Sequence, residues 1–248
     1  MRKFIKTVVL LVGFLIPMVS CGKSDVEAFK EYMSAAMEAM DNNNTTEAIT
    51  QLEKAHNAYP NNFLPLYLIG HIYVDKNDYK QASKYFEKAL IIIDDNEDEM
   101  IKMYKEFDGT DATHISFRKI MTEIYNELAS YYRNFDQLED AKKYYKKIVN
   151  LNIESGYIVP VANSLSGIYQ CYREENNYID CFNYFSTLQM HLPHLKQWEP
   201  CKALIHAIKG DCYYNVGQQD DAIIEYKLAA TLGHTGAMEV LNNSGIDY

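Results

Sequence analysis

Cysteine is the residue type in this chain with the widest range of chemistry. The sequence holds five of them, Cys21, Cys171, Cys181, Cys201 and Cys212. In an exported protein, cysteines predict disulfide bonds or a metal centre. A bridge between Cys171 and Cys181, or one that involves Cys201, is therefore an open hypothesis. No two cysteines have the Cys-x-x-Cys spacing, which disfavours a redox motif or a zinc ribbon.

Two histidines and an acidic run are the other candidates for metal binding. His191 and His194 have a spacing that could bind a metal, but we find no further ligands for them. The run Asp94–Glu99 lacks the ligand spacing and turn glycine of an EF-hand, so a solvated turn is the simpler interpretation. No nucleophile elbow or phosphate loop is present. We therefore predict a non-enzymatic protein that needs neither a metal nor a cofactor.

Composition sets the broad class of the protein. The chain has 248 residues, of which 48% are hydrophobic and 13% aromatic, enough for a folded core. Its 11 glycines and 6 prolines are too few for a turn-rich β-sandwich or a glycine-loop nucleotide enzyme. The net charge of −10 argues against nucleic acid as a partner, because phosphates require clustered basic residues.

Residues 1–20 differ in kind from the rest of the chain. Arg2, Lys3 and Lys6 precede the apolar run Thr7–Ser20. A basic start followed by a short apolar core is typical of a secretory signal peptide, and the run is short for a transmembrane helix.

The residues at the end of this run resemble the lipobox of bacterial lipoproteins. The stretch is "MVSC" followed by Gly22, with Met18 where leucine is most common. The resemblance implies that Cys21 becomes the lipidated N-terminus, followed by a short linker over 21–28. Because Gly22 is not aspartate, it also implies the outer membrane of a Gram-negative envelope, where the acyl chains would act as the anchor. The alternative is an ordinary signal peptide followed by an incidental cysteine.

A pattern of small and large apolar residues recurs along the mature chain. A small residue is followed by an apolar residue four positions on and by a small or apolar residue seven positions on, which marks one face of a helix. The five matches are Ala48/Leu52/Ala55, Ala82/Phe86/Ala89, Ala141/Tyr145/Ile148, Cys181/Phe185/Leu188 and Ala222/Tyr226/Ala229. A second helical pattern and a polar turn precede most of them, so the pattern predicts helical hairpins in which small and aromatic side chains interleave.

These hairpins resemble the tetratricopeptide repeat, a helix–turn–helix unit. The best copy, residues 63–96, matches the family at Leu66, Gly70, Tyr73 and Phe86, among others. The resemblance implies an all-α fold, a right-handed α-solenoid of about five hairpins over 29–248 with a capping helix at Ala237–Leu241. The predicted repeats are 29–62, 63–96, 122–155, 162–195 and 203–236. Residues 97–121 form an insertion of unassigned role.

The repeat pattern also suggests a structural role for three cysteines. Cys171 and Cys212 occupy equivalent places in the first helix of their repeats, and Cys181 stands at a small position of a second helix. We therefore predict that these three side chains are small apolar members of the core.

In the family, the first helix of each repeat lines a concave groove that binds segments of partners. The positions of this sequence that match are Tyr67, His71, Val74, Asn126, Ser130, Arg133, Ser166, Gln170, Arg173, Asp211 and Tyr214. Arg133 and Arg173 are equivalent, so they predict a basic spot able to hold a carboxylate or phosphate. The alternative is that both arginines are solvated and paired with local acids such as Glu174.

The sequence thus predicts a lipid-anchored, non-enzymatic scaffold that binds a partner protein or peptide in its groove. Two alternatives are a glycan-capture lipoprotein of a nutrient-uptake system and a lipoprotein that assists outer-membrane assembly. Glycan capture requires exposed aromatic platforms, and the chain has one tryptophan, Trp198. No diagnostic motif supports the assembly role, which rests on analogy with lipoproteins of similar architecture.

Overall fold

The computed structural model describes residues 23–95, 112–153, 155–192 and 196–248, and the regular elements in these ranges are helices. The helices form five consecutive hairpins, numbered here 1 to 5, and a final helix. Their bounds are α1 Lys23–Asp41, α2 Thr45–Ala58, α3 Leu64–Asp75, α4 Tyr79–Asp95, α5 Ala112–Asn134, α6 Leu138–Ile153, α7 Ile158–Glu174, α8 Tyr178–His191, α9 Glu199–Asn215, α10 Gln219–Thr231 and α11 Thr235–Asn243, with a short 3-10 helix at Lys196–Trp198. The all-α class and the hairpin architecture are confirmed.

The turn inside each hairpin has the same backbone geometry. One residue of each turn has a positive φ, from 53° to 84°, and these are Asn43, Asn77, Asp136, Asn176 and Gly217. Asparagine, aspartate and glycine tolerate this left-handed conformation best. The next N–H closes the turn on a carbonyl of the first helix: Asp78 donates to Tyr73 at 2.9 Å, and Gln218 donates to Tyr213 at 2.9 Å. This bonding satisfies carbonyls that a helix end leaves free.

Glycine and aromatic residues meet between the two helices of a hairpin. A Cβ atom added to Gly70 would lie 2.6 Å from Cε1 of Phe86, and one added to Gly210 would lie 2.7 Å from Cδ1 of Tyr226. Every member of the five small–large–small triplets is buried except Leu188, which is partly exposed. The predicted interleaving of small and large side chains is therefore confirmed.

The described helices divide into two compact units, one ending at Ile124 and one running from Tyr125 to Tyr248. In the first unit, α2 packs against α1 and α3, and α3 packs against α4. In the second unit, α7 packs against α6, α8 and α9, and α10 packs against α9 and α11. The core of the second unit ends in a cluster around Tyr226, which Ala237 and Leu241 of α11 join. The capping helix is confirmed and is longer than predicted.

Several predicted features lie outside the described residues. They are the signal peptide over residues 1–20, Cys21, His194 and most of the 97–121 insertion, of which residues 112–121 belong to α5. Within the described ranges, no helix has both the length and the apolar character needed to cross a bilayer.

Candidate partner-binding face

The structure buries two of the predicted groove residues in the first unit. Tyr67 is 1% exposed and His71 is 5% exposed. The phenol of Tyr67 donates to Glu123 Oε2 at 2.6 Å, while His71 lies against Tyr67 and Phe86, with ring centroids 4.5 Å and 5.2 Å away. Burial lowers the pKa of His71 to about 4, and Asp75 opposes this only in part. These two side chains therefore contribute to packing rather than to an open face, because α3 is buried on all sides from Leu64 to Ile72.

In the second unit, one of the two arginines of the predicted basic spot is already paired with a carboxylate of the protein. Arg133 donates through Nε to Glu174 Oε1 at 3.1 Å and pairs with it through a second nitrogen as well. For Arg133, this pairing is the alternative that the sequence left open. The bond to Glu174 raises the pKa of Arg133. Arg173 is exposed, and its guanidinium lies 5.9 Å from the centroid of the Tyr169 ring.

A second side-chain bridge links hairpins 4 and 5. Asp211 accepts hydrogen bonds from the phenols of Tyr169 and Tyr226, both at 2.7 Å. Burial and the neighbouring Asp211 carboxylate raise the pKa of both tyrosines, which therefore stay protonated donors. The repeat pattern placed Asp211 in the groove but did not predict these two partners, which lie 42 and 15 residues away.

The remaining predicted positions of the second unit are accessible to different degrees. Asn126 is exposed, Ser130 and Gln170 are partly buried, and Tyr214 is 61% exposed. We define the polar face as the set contributed by α5, α7 and α9 at matching positions: Ser130, Arg133, Gln170, Arg173, Asp211 and Tyr214.

Two charge clusters of the second unit, one buried and one largely buried, were not predicted from the sequence. Lys142 is 2% exposed, and its Nζ lies 2.7 Å from Glu139 Oε1, 2.6 Å from Glu175 Oε2 and 4.2 Å from the Tyr172 ring centroid. Although burial opposes it, hydrogen bonding to the two carboxylates raises the pKa of Lys142. A second cluster joins Glu225 to His206 at 2.6 Å and to Lys209 at 2.7 Å. The sequence signal for both clusters was a charged residue at a position that is apolar in most of the other hairpins.

The four described cysteines are free and buried, including Cys201. The burial of Cys171, Cys181 and Cys212 supports the prediction that these three side chains belong to the core. The hypothetical Cys171–Cys181 bridge is not formed. Cys201 Sγ lies 4.0 Å from the carbonyl oxygen of Ile158.

No group of three or more metal-ligating side chains occurs within the described ranges. The Nδ1 atom of His191 is within 2.8 Å of the Thr187 carbonyl at the end of α8. Among the described residues, His191 therefore belongs to no such group.

An open apolar cleft of about 180 Å³ lies between the start of α8 and the turn that joins α9 to α10. Its size suits a single apolar side chain or a small reagent. Its lining residues are Tyr178, Ile179, Phe182, Asn183, Cys212, Tyr213, Val216 and Gln218. Sequence analysis did not predict this cleft, because its walls come from separate hairpins.

Comparison with known proteins supports the repeat assignment. The family model described as "Tetratricopeptide repeat" matches residues 65–96 and 122–152. These two stretches are tetratricopeptide repeats. The matched stretches coincide with hairpin 2 and with the end of α5 plus α6, and the shared turn geometry extends the pattern to the other hairpins.

Solved structures of other proteins share the fold. A crystal structure of MamA protein aligns with a TM-score of 0.50 at 18% identity, over 86% of this chain and 95% of that one. The crystal structure of YrrB, described as "a TPR protein with an unusual peptide-binding site", aligns with a TM-score of 0.50 at 17% identity, over 96% and 97%. At such identity the likeness concerns the fold alone. No curated protein matches the sequence.

Proposed function

We propose that this protein is a non-enzymatic scaffold whose polar face binds a segment of a partner protein or peptide. The observation that carries the proposal is the repetition of accessible polar side chains at matching positions of α5, α7 and α9. A face built from three rigid helices suits an extended segment better than a small substrate, since its polar groups are spread along the repeats. YrrB, which shares this fold, is described as having a peptide-binding site.

The arginines of this face favour an acidic group on the partner. Arg133 and Glu174 have side-chain exposures of 31% and 37%, and ion pairs at such accessible sites are weak, about 1 kcal/mol or less. A carboxylate of the partner could therefore replace Glu174 as the ligand of Arg133. The exposed guanidinium of Arg173 would hold the partner's next acidic group.

Crosslinking in cells, followed by affinity capture, tests this proposal. Arg173→Glu reverses the charge of the polar face, whereas Lys143→Glu makes the same change at an exposed site on α6 and is the matched control. We expect the captured partners to be lost from Arg173→Glu and kept by Lys143→Glu. Identical partners in both variants would show that binding lies elsewhere.

We also propose that Cys21 carries a lipid that anchors the protein in the bacterial envelope, with the outer membrane as its destination. The support is the lipobox resemblance of "MVSC". Labelling cells with an alkyne-tagged fatty acid should mark the wild type and leave Cys21→Ser unlabelled and outside the membrane fraction. Equal labelling of both would refute lipidation at this residue.

The tryptophan does not provide the exposed platform that the glycan-capture alternative requires. Trp198, the sole tryptophan, is 1% exposed, so its ring cannot stack on a sugar. Saturable binding of a glycan by the purified protein, unaffected by Arg173→Glu, would nevertheless favour that alternative over a scaffold.

A further inference from the structure

Charged side chains fill the contact between the start of α6 and the turn that joins α7 to α8. Lys142 is 2% exposed there, and its Nζ lies 2.7 Å from Glu139 Oε1 and 2.6 Å from Glu175 Oε2. The same ammonium lies 4.2 Å from the centroid of the Tyr172 ring. It therefore neutralises two carboxylates in the space between hairpins 3 and 4.

Apolar and aromatic side chains occupy the same four positions one hairpin further along the chain. Positions are matched by counting from the small residue of each triplet and from the positive-φ residue of each turn. The matches are Phe182 for Lys142, Ile179 for Glu139, Val216 for Glu175 and Tyr213 for Tyr172. All four line the open cleft of about 180 Å³, and the ring centroids of Phe182 and Tyr213 are 4.6 Å apart. An apolar cleft thus lies between hairpins 4 and 5 at the place where charged residues join hairpins 3 and 4.

Two of the cleft residues are exposed at positions where the other hairpins carry mostly polar residues. Ile179 is 68% exposed and Val216 is 45% exposed. The matching residues are Thr46, Lys80, Glu139 and Asp220 for Ile179, and Asn42, Lys76, Phe135 and Glu175 for Val216. Side chains this exposed add little to the core, so packing does not explain their apolar character. Two of them beside one apolar cleft indicate a docking surface.

Three exposed aspartates lie close to the cleft residues along the chain. Asp180 follows Ile179 in the first turn of α8. Asp220 and Asp221 lie in the first turn of α10, shortly after the cleft residue Gln218. These carboxylates favour a positively charged segment at the edge of the cleft.

A lysine beside the cleft does not offset these carboxylates. The Nζ of Lys209 lies 5.5 Å from the centroid of the Phe182 ring, but it also lies 2.7 Å from Glu225 Oε1. The side chain of Lys209 is only 12% exposed. Its charge is therefore balanced inside the protein rather than presented to a ligand.

We propose that the cleft receives one large apolar side chain, such as leucine or phenylalanine, from a basic segment of a partner protein. The apolar side chain would lie among Ile179, Phe182, Tyr213 and Val216, with lysine or arginine on either side of it near the three aspartates. The volume is below the roughly 300 Å³ of the smallest typical small-molecule sites, which favours a side chain over a cofactor. This site is separate from the polar face, whose arginines favour an acidic group, and does not depend on it.

The test is binding of the peptide acetyl-Lys-Lys-Phe-Lys-Lys-amide to the purified full chain with labelled isoleucine, leucine and valine methyl groups. An NMR titration should shift the methyl signals of Ile179 and Val216 in a saturable way. Replacing the phenylalanine of the peptide by alanine should weaken binding by at least about tenfold, because the apolar burial is lost. Replacing its lysines by glutamates should also weaken binding, and added salt should weaken binding of the lysine peptide.

Matched variants locate the binding within the protein. Ile179→Lys/Val216→Lys introduces the residues found at both positions of hairpin 2 and should abolish peptide binding, measured by saturation-transfer NMR. Ile224→Lys/Leu228→Lys adds the same charge on α10 outside the cleft, also copies hairpin 2, and should bind like the wild type. The four replaced side chains are at least 43% exposed, so both variants are expected to fold.

Arg173→Glu separates the cleft from the polar face and should bind the peptide like the wild type. Loss of binding in Arg173→Glu, equal binding of the alanine or glutamate peptide, or shifts that spare Ile179 and Val216 would each overturn the proposal. Concentration-dependent shifts of these two signals without peptide would also overturn it, because they would assign the cleft to a second copy of the chain. None of these results replaces the capture experiment, which tests the polar face on its own.

Discussion

At the residue scale, the packing of a hairpin depends on the combined volume of the two side chains that face each other between its helices. In hairpin 2, Gly70 faces Phe86, and a Cβ on Gly70 would be 2.6 Å from the Phe86 ring. The corresponding residues in hairpin 1 are Ala36 and Leu52, both fully buried. In hairpin 1, the methyl group of Ala36 is thus accommodated because the facing side chain, Leu52, is smaller than Phe86. The two hairpins fill the same space in different ways.

This pairing makes Gly70→Ala a test of the packing. Alanine favours a helix by up to about 1 kcal/mol over glycine, but the clash with Phe86 should outweigh that gain. We expect a net loss of roughly 1–3 kcal/mol of unfolding free energy, measured by urea denaturation. The double variant Gly70→Ala/Phe86→Leu recreates the hairpin 1 pair and should recover part of the loss. Strict additivity of the two single changes would show that the residues do not compete for space.

His71 should make stability depend on pH in mildly acidic solution. Its pKa is about 4 in the folded protein against an ordinary value of 6.5, so protonation favours the unfolded state. The contribution of neutral His71 to the free energy of unfolding is complete above pH 6.5 and is lost as the pH falls towards 4. At pH 5 the loss is roughly 2 kcal/mol. His71→Met introduces the residue found at the matching position of hairpin 1, Met37. This variant should show a smaller change in the urea midpoint between pH 7 and pH 5 than the wild type. His191→Gln, at an exposed site, should leave the wild-type slope unchanged.

At the element scale, the sequence predicted the hairpin turns well because they depend on local chemistry. Asn77 and Asn176 adopt the left-handed conformation that their residue types favour. The buried ammonium of Lys142 was not predictable in this way, because its partner Glu175 lies 33 residues away in the turn of the next hairpin. Local patterns locate helices and turns, whereas partners across hairpins depend on how the repeats stack.

The two carboxylates on Lys142 should contribute unequally to stability. Glu139 is 85% exposed and Glu175 is 23% exposed, so the bond to Glu175 is the less hydrated of the two. We expect Glu175→Gln to cost about 1–3 kcal/mol and Glu139→Gln less than about 0.5 kcal/mol in thermal or urea unfolding. Equal losses would mean that solvent exposure does not determine how much each carboxylate contributes to stability.

At the scale of the whole molecule, repeats that contact mainly their neighbours should keep a local defect local. Leu241 of α11 is 1% exposed in the terminal cluster, whereas the adjacent Val240 is 43% exposed. Leu241→Ala should cost about 2–4 kcal/mol, and hydrogen exchange should quicken most in α10 and least in α6. Val240→Ala serves as the control with little effect. A uniform change across the second unit would indicate one cooperative block instead.

The sequence predicted the repeat architecture more fully than the binding face. Periodicity located the helices and the core triplets, but it assigned Tyr67 and His71 to the groove by position alone. The sequence position of a residue determines which way its side chain points from the helix, but not how much of the protein surrounds that side chain. The burial of α3 was therefore missed. The pairing of Asp211 with Tyr169 and Tyr226 was missed for a related reason, because it joins residues whose approach only the stacked hairpins determine.

The burial of Trp198 gives this protein a local spectroscopic reporter. As the sole tryptophan, at 1% exposure in the second unit, it provides all the indole fluorescence of the chain. Unfolding of that unit should shift the emission to longer wavelength, while circular dichroism follows every helix. Different midpoints for the two transitions would show that the units melt separately, and equal midpoints would show that they melt together. The measurement needs no added label.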